Sequence, residues 1–403
     1  MTQLPTPGPG EASAWVGAHL AHLVTGEVRA SPRFRGGQTA ADTALASFDV
    51  SGYAARRNEV WPSTRRGASG LSPWIRHGLL TLPEVWSAVG GGPARDVAKL
   101  RDELLWQEFA RHWYARLGPA SAQAQRAEPR SDGPDDPWAG DLACVRLAVD
   151  ELERDGWLVN QTRMWLASHW TVRSGSVWTE GEDRFFRHLL DGSRAANRLG
   201  WQWTVGAMTG EPYGFSRWQV TKRAPGLCRT CPHQHACPIE HWPDGPAPRR
   251  RDPDPLLRQA PTALAGPRTI EHDAPPSAVW LTAESIGARD PAAAAHPDLP
   301  AVFVFDEPLL ERLRLAAPRL VFLAECLASI AEERELEVHL GDPVAVLAGR
   351  PLSATFTPVP GWRRRSQRLD VVERHPWPWL RRPGTGPVSS FSAWRNALGR
   401  RDA

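Results

Sequence analysis

The sequence predicts a two-part chain: a mostly α-helical first domain, followed by a small Rossmann-like α/β domain with a parallel sheet. Three observations carry this. From about residue 36 to 245, apolar residues recur at the three- and four-residue spacing of helices. Residues 243–276 are Pro-dense without a sustained apolar period, as a linker is. Beyond them, short buried-type apolar runs alternate with helical ones in βαβα order. At 403 residues the chain exceeds one hydrophobic core. The expected division is a helical domain at 1–245, a linker at 246–275 and an α/β domain with a basic tail at 276–403.

In order, helices are expected at 13–24, 40–48, 97–117, 142–152, 161–172 and 182–190, with the polar stretch 125–137 as a loop. In the second part, strands are expected at 278–281, 301–305, 336–340 and 354–357. One long helix is expected at 308–335 and a short one at 343–348, with an irregular tail over 361–403. No GxGxxG or GxxxxGK[ST] is present, so neither a dinucleotide fingerprint nor a phosphate loop is available.

Hydrophobic residues make up 41% and charged residues 23%, which excludes wholesale disorder. Net charge is +3, yet only Lys99 and Lys222 are lysines among 48 basic residues. Arginine suits phosphate, but the skew also fits a GC-rich genome, so charge alone argues weakly for nucleic acid. Five cysteines are too few for a disulfide scaffold and fit a reducing cytoplasm. The start has neither a basic segment nor an apolar run, and no stretch of 18 apolar residues exists, so secretion and membrane spanning are not expected. The outlier is tryptophan: of 20, fifteen lie before residue 243. A chromophore or stacked-base site would use them; so would an aromatic-rich helical core.

ELLWQEF (103–109), NQTRM (160–164) and DGSRAANRLGWQW (191–203), with FRGGQTA, YAARR and GASGLSPWIRHG upstream, resemble the FAD-binding domain of the photolyase/cryptochrome family over about 200 residues. Residues 278–361 resemble the family's α/β antenna domain, which ordinarily comes first, so the resemblance implies a circular permutation. That part is short, which leaves the antenna chromophore unassigned. Near termini make such a rearrangement physically tolerable.

The resemblance implies a flavin site. Ser69, Leu71 and Ser72 would hold the phosphates at a helix start, although SGLS is by itself only a capping sequence. Tyr53 would lie along the adenosine and phosphate side. Asp191 would approach the ring edge and pair with Arg163, with Ser193 nearby, and Asn197 would face flavin N5. Arg57 and Asp191 are expected to form a structural ion pair. Without the match, Asn197 reads as a helix-surface amide.

The resemblance also implies a pocket for a flipped cyclobutane pyrimidine dimer in damaged DNA. It is walled by Trp106 and Trp203, with Glu103, Gln107, Asn160 and Met164. Glu103 is expected to be buried, to carry a raised pKa and to donate to the dimer. Relatives acting on the (6-4) lesion carry His at the positions of Asn160 and Met164. Trp178 and Trp201 match the inner members of the chain that photoreduces flavin; the outer one is missing, and core packing is the plain alternative. Gln107 and Gln161 stand where the family has DNA-holding cations, Ser193 replaces an Asp, Ala68 a Thr and Arg146 an Asp. Two functions therefore stay open: a dimer-splitting photolyase and a cryptochrome-like photoreceptor. A monomer is the default expectation.

Cys228, Cys231 and Cys237, with Cys144 upstream, resemble the ligand set of the family's bacterial iron–sulfur branch, which holds [4Fe–4S]. Zinc competes, because His233 and His235 interleave the same cysteines. Cys326 reads as a buried free thiol.

Overall fold

A computed structural model describes residues 1–243 and 249–399. Residues 246–248 of the expected linker and 400–403 of the tail lie outside the described residues.

The chain divides into two compact units, and the division is not the expected one. One unit takes Met1–Phe48, Leu71–Gly90 and Pro261–Thr385; the other takes Asp49–Gly70, Gly91–Ala260 and Gly386–Ala403. The expected 1–245 domain thus loses its first 48 residues and a second stretch to the sheet-bearing unit. The tail from 386 joins the helical one. Helical periodicity reports that a face is buried and not against what it is buried. The helix Ala12–His19, with Trp15 and Val16 buried, packs against the helix Ala317–Ala331 of the same unit.

The sheet has seven strands. Their spatial order is Thr2–Leu4, Leu336–Gly341, Ala301–Asp306, Ala278–Leu281, Leu352–Thr355, Val371–His375 and Glu271–His272. The five inner strands are parallel, but both edge strands run antiparallel, so the sheet is mixed and not purely parallel. Edge strands of three and two residues leave no period to read, and short edges limit pairing with other chains. The central strands Ala278–Leu281 and Ala301–Asp306 read as near-continuous apolar runs because both faces are buried. Trp280 and Trp362 stack in this core at 6.1 Å between ring centroids. The expected helix 308–335 is two helices, Glu307–Leu313 and Ala317–Ala331. Arg314 between them takes φ 48°, and Pro318 opens the second. The expected linker is ordered within the described residues: Leu257, Ala260 and Ala265 are buried and Glu271–His272 is a strand. The tail likewise holds a strand, Val371–His375, and a helix, Phe391–Gly399.

In the helical unit, the 24-residue helix Ala94–Leu117 buries Leu104, Phe109 and Trp113. Ala143–Asp155 follows, ended by Gly156 at φ 67°, where glycine bears the left-handed cap without a Cβ clash. Asn160–Ala167 then runs into a wider π turn, Ser168–Arg173, and Trp178–His188 and Ala196–Thr204 complete the group. No described helix is long and apolar enough to cross a membrane.

Candidate functional site

The helical unit centres a polar cluster on Arg163. From the first turn of Asn160–Ala167 its Nη2 reaches Asp191 Oδ2 at 2.7 Å, its Nη1 donates to Asn197 Oδ1 at 3.2 Å, and its Nε donates to the Leu158 carbonyl. The Ser193 hydroxyl accepts from the backbone N–H groups of Ala195 and Ala196, so its role is to turn the chain into Ala196–Thr204 and set Asn197 in place. Asp191 and Asn197 are buried, and Asp191 Oδ1 and Asn197 Nδ2 have no protein partner. One free acceptor and one free donor, held by the same arginine, would each cost about 1–3 kcal/mol if nothing met them. That pair fits the edge of a flavin ring, which offers both a donor and acceptors.

The expected Arg57–Asp191 pair does not form. Arg57 Nε instead lies 3.2 Å from Glu103 Oε1, and Lys99 approaches the same oxygen at 3.1 Å. Glu103 is a third exposed and paired with two cations, so the buried proton donor expected there is not seen. Tyr53 is buried beside it; burial, with the Glu103 charge, pushes its hydroxyl pKa up.

Of the expected dimer pocket, the fold brings Asn160 and Met164 together: one turn apart, the Asn160 amide lies 3.6 Å from the Met164 sulfur. Trp203 is 38% exposed and begins a run of rings, 6.1 Å from Tyr213, which lies 5.9 Å from the exposed Trp242. Gln161 donates to the Tyr213 hydroxyl at 3.1 Å. Trp106 is not an open platform. Phe391 of the tail helix stacks on it at 4.1 Å and 9°. Gln107, on the same helix, is half-buried.

Trp201 is buried and contacts Trp138 at 6.4 Å, and Trp138 meets Trp170 at 4.6 Å. Trp178 is buried on the helix Trp178–His188, which packs against Ala196–Thr204, the helix that carries Trp201. Trp138, the first residue after the tryptophan-poor loop, was readable in the sequence but had no motif to mark it. Gly181 admits the cluster: a Cβ there would sit 2.3 Å from the Trp201 ring.

Ser69 lies in the helical unit, whereas Leu71 and Ser72 lie in the other. Leu71 is buried and precedes the short helix Ser72–Arg76.

Cys144, Cys228, Cys231 and Cys237 line one cavity, and all are free thiols. Burial and the three neighbouring cysteines push Cys144 up to about 12. Four converging thiols are electrostatically unfavourable as thiolates unless a cation stands among them. His233 lines the same cavity but is hydrogen-bonded to Asp141. Cys326 is buried, as expected.

Comparison with known proteins finds a match over these same helices. Residues 143–222 match the family model described as the FAD binding domain of DNA photolyase. The chain is 30% identical over 193 residues to the deoxyribodipyrimidine photo-lyase of a Synechococcus strain, covering 42% of this chain and 38% of that protein. It is 32% identical over 168 residues to that of Escherichia coli K12, covering 36% and 32%. Among solved structures, a bacterial class III photolyase from Agrobacterium tumefaciens aligns with 25% identity and a TM-score of 0.37, covering 41% of this chain and 37% of that one. The chain spans less than half the length of each of these relatives. The family-model match and the sequence identities support a photolyase/cryptochrome-type FAD-binding domain in this part of the chain.

Proposed function

We propose that this chain is a light-dependent flavoprotein that splits cyclobutane pyrimidine dimers in damaged DNA. The observation that carries the reading is the Arg163–Asp191–Asn197 cluster, with its unmet acceptor and donor, on the same helices that carry Asn160, Met164 and Trp203. FAD, when bound and reduced, would supply the excited electron that opens the cyclobutane ring. Arg163 anchors the Asp191 carboxylate and turns the Asn197 amide so that its N–H is free. Ser69 and Tyr53, both in the helical unit, are the residues we assign to the phosphates and adenosine. Asn160, Met164 and Trp203 would bind the flipped pyrimidines, by amide hydrogen bonding and by stacking on the exposed indole. We assign Trp201 and Trp178 to electron entry, with Trp138, in ring contact with Trp201, and Trp170, in ring contact with Trp138, as a further branch.

The four cysteines are assigned to a [4Fe–4S] cluster. No three of their sulfurs lie within 4.8 Å of one another. One zinc with bonds of about 2.3 Å would draw its thiolates to about 3.8 Å apart. A larger cluster suits the wider spacing, and a reducing cytoplasm suits the thiolates. We also assign a circular permutation, because the residues matching the flavin domain precede the five parallel strands of the sheet.

A second reading, a cryptochrome-like photoreceptor, is favoured by the tail covering Trp106 and by the two cations on Glu103. Illuminating a dimer-containing oligonucleotide with reduced, FAD-loaded protein separates them. Monomeric pyrimidines are expected from repair, and an unchanged lesion with flavin photoreduction intact would leave the receptor reading. Iron and acid-labile sulfide analysis of anaerobically purified protein tests the cluster; one zinc and no iron would reject it.

A further inference from the structure

The sheet-bearing unit holds a second constellation of ligating side chains that the flavin chemistry does not use. Glu373 and His375 are two apart on the strand Val371–His375, so they share one face. Both are buried. The register sets Ser353 opposite Glu373 on one side and His272 opposite it on the other. His296 arrives from a different element, at the end of the short helix Pro291–Ala295. Arg334 fixes that segment by donating to the Ala293, His296 and Leu299 carbonyls.

All of these groups converge on one carboxylate. Glu373 Oε1 is met by His296 Nε2 at 2.5 Å, His375 Nε2 at 2.6 Å and Ser353 Oγ at 2.8 Å, while His272 Nδ1 meets Oε2 at 3.0 Å. Three groups crowd an oxygen with two lone pairs, whereas its neighbour receives one. Hydrogen bonding alone uses this arrangement poorly. Two imidazoles with protons on Nδ1 would instead turn two Nε2 lone pairs towards the carboxylate charge. The three ligand atoms already lie within 4.8 Å of one another. Tetrahedral zinc, with bonds of about 2.0–2.1 Å, needs them at about 3.4 Å.

We propose that His296 Nε2, His375 Nε2 and Glu373 Oε1 bind one divalent cation of the zinc type. Ser353 and His272 position the carboxylate, as hydrogen-bonded outer partners do around metal ligands. The donor set is two imidazoles and a carboxylate, which favours zinc over magnesium or calcium. Three protein ligands leave a fourth position for water, and His296, a quarter exposed, marks the way in. The ion would tie the strand Val371–His375 to the segment after Pro291–Ala295.

The test is zinc titration of the full chain, stripped of metal under anaerobic reducing conditions, followed by desalting and metal analysis. Wild type should retain one more equivalent of zinc than H296Q and E373Q, and C228S should keep that equivalent. Cobalt bound at the site should show visible d–d bands without thiolate charge-transfer absorption. Zinc should raise the wild-type Tm by a few degrees more than that of H296Q. Because E373Q is buried and can fail to fold, H296Q, at the end of a helix, decides the matter. Equal zinc content in wild type and folded H296Q would overturn the proposal, as would loss of the equivalent in C228S.

Discussion

The two units bury polar groups in different ways. In the sheet-bearing unit, Asp290 is met by the Thr355 hydroxyl and the N–H groups of Ala292 and Ala293, and Glu373 by four side chains. In the helical unit, Asp191 Oδ1, Asn197 Nδ2, Trp201 Nε1 and Trp165 Nε1 are buried without a protein partner. A sheet satisfies its own backbone and caps. Helices packed around a ligand leave their inward-facing polar atoms for that ligand. The sheet-bearing unit also leaves buried donors unmet, Trp362 Nε1 and Arg334 Nε among them, so what sets the helical unit apart is the acceptor and donor of Asp191 and Asn197 left unmet side by side on one arginine.

The largest test of that contrast is Arg163→Ala. It strands the buried Asp191 carboxylate, so unfolding should become easier by about 3 kcal/mol, and the purified protein should lose bound flavin absorbance. A variant that keeps both stability and colour would break the comparison. Gly181→Ala comes next: its Cβ would fall 2.3 Å from the Trp201 ring, and such overpacking costs about 1–3 kcal/mol, read by denaturant melts. Phe391→Ala removes the face-to-face contact with Trp106 at 4.1 Å. A loss of about 1 kcal/mol is expected for the stack, and binding of dimer-containing DNA should strengthen if Trp106 serves the lesion. Unchanged binding would separate Trp106 from the substrate.

The smallest expected effect is a pH slope. Burial pushes His169 down to about 4, and its Nε2 faces the Pro137 carbonyl at 3.1 Å while Nδ1 is buried without a partner. The folded state thus binds the proton less well than the unfolded chain. Its contribution is present above about pH 6.5 and is lost as pH falls towards 4. Between pH 7 and 6 the loss should be under about 1 kcal/mol, and H169Q should flatten it in unfolding measurements.

Much of the helical site was legible. The Arg163–Asp191 pair and the neighbouring Asn160 and Met164 follow from segments whose residues meet within one helix or across two adjacent ones. The four cysteines were likewise grouped correctly into one cavity. Glu103 was misjudged because Lys99, one turn away, and Arg57 compensate its charge. Trp106 was misjudged because its cover comes from nearly 300 residues further along the chain. The His–Glu constellation was invisible because its members are spread over three separate segments with no spacing to mark them.

Residue types and periods alone determined the helix-rich first part and the parallel inner strands, since each rests on a repeating apolar face or an apolar run. The Arg163–Asp191–Asn197 cluster, whose Asp191 and Asn197 lie 28 and 34 residues from Arg163, was expected only from the family resemblance. Only the tertiary structure decided which unit each terminal segment joins, that the sheet carries two antiparallel edges, and which aromatic face remains open. Those outcomes depend on which distant surface buries a given apolar stripe, and a local pattern of residues carries no record of its partner.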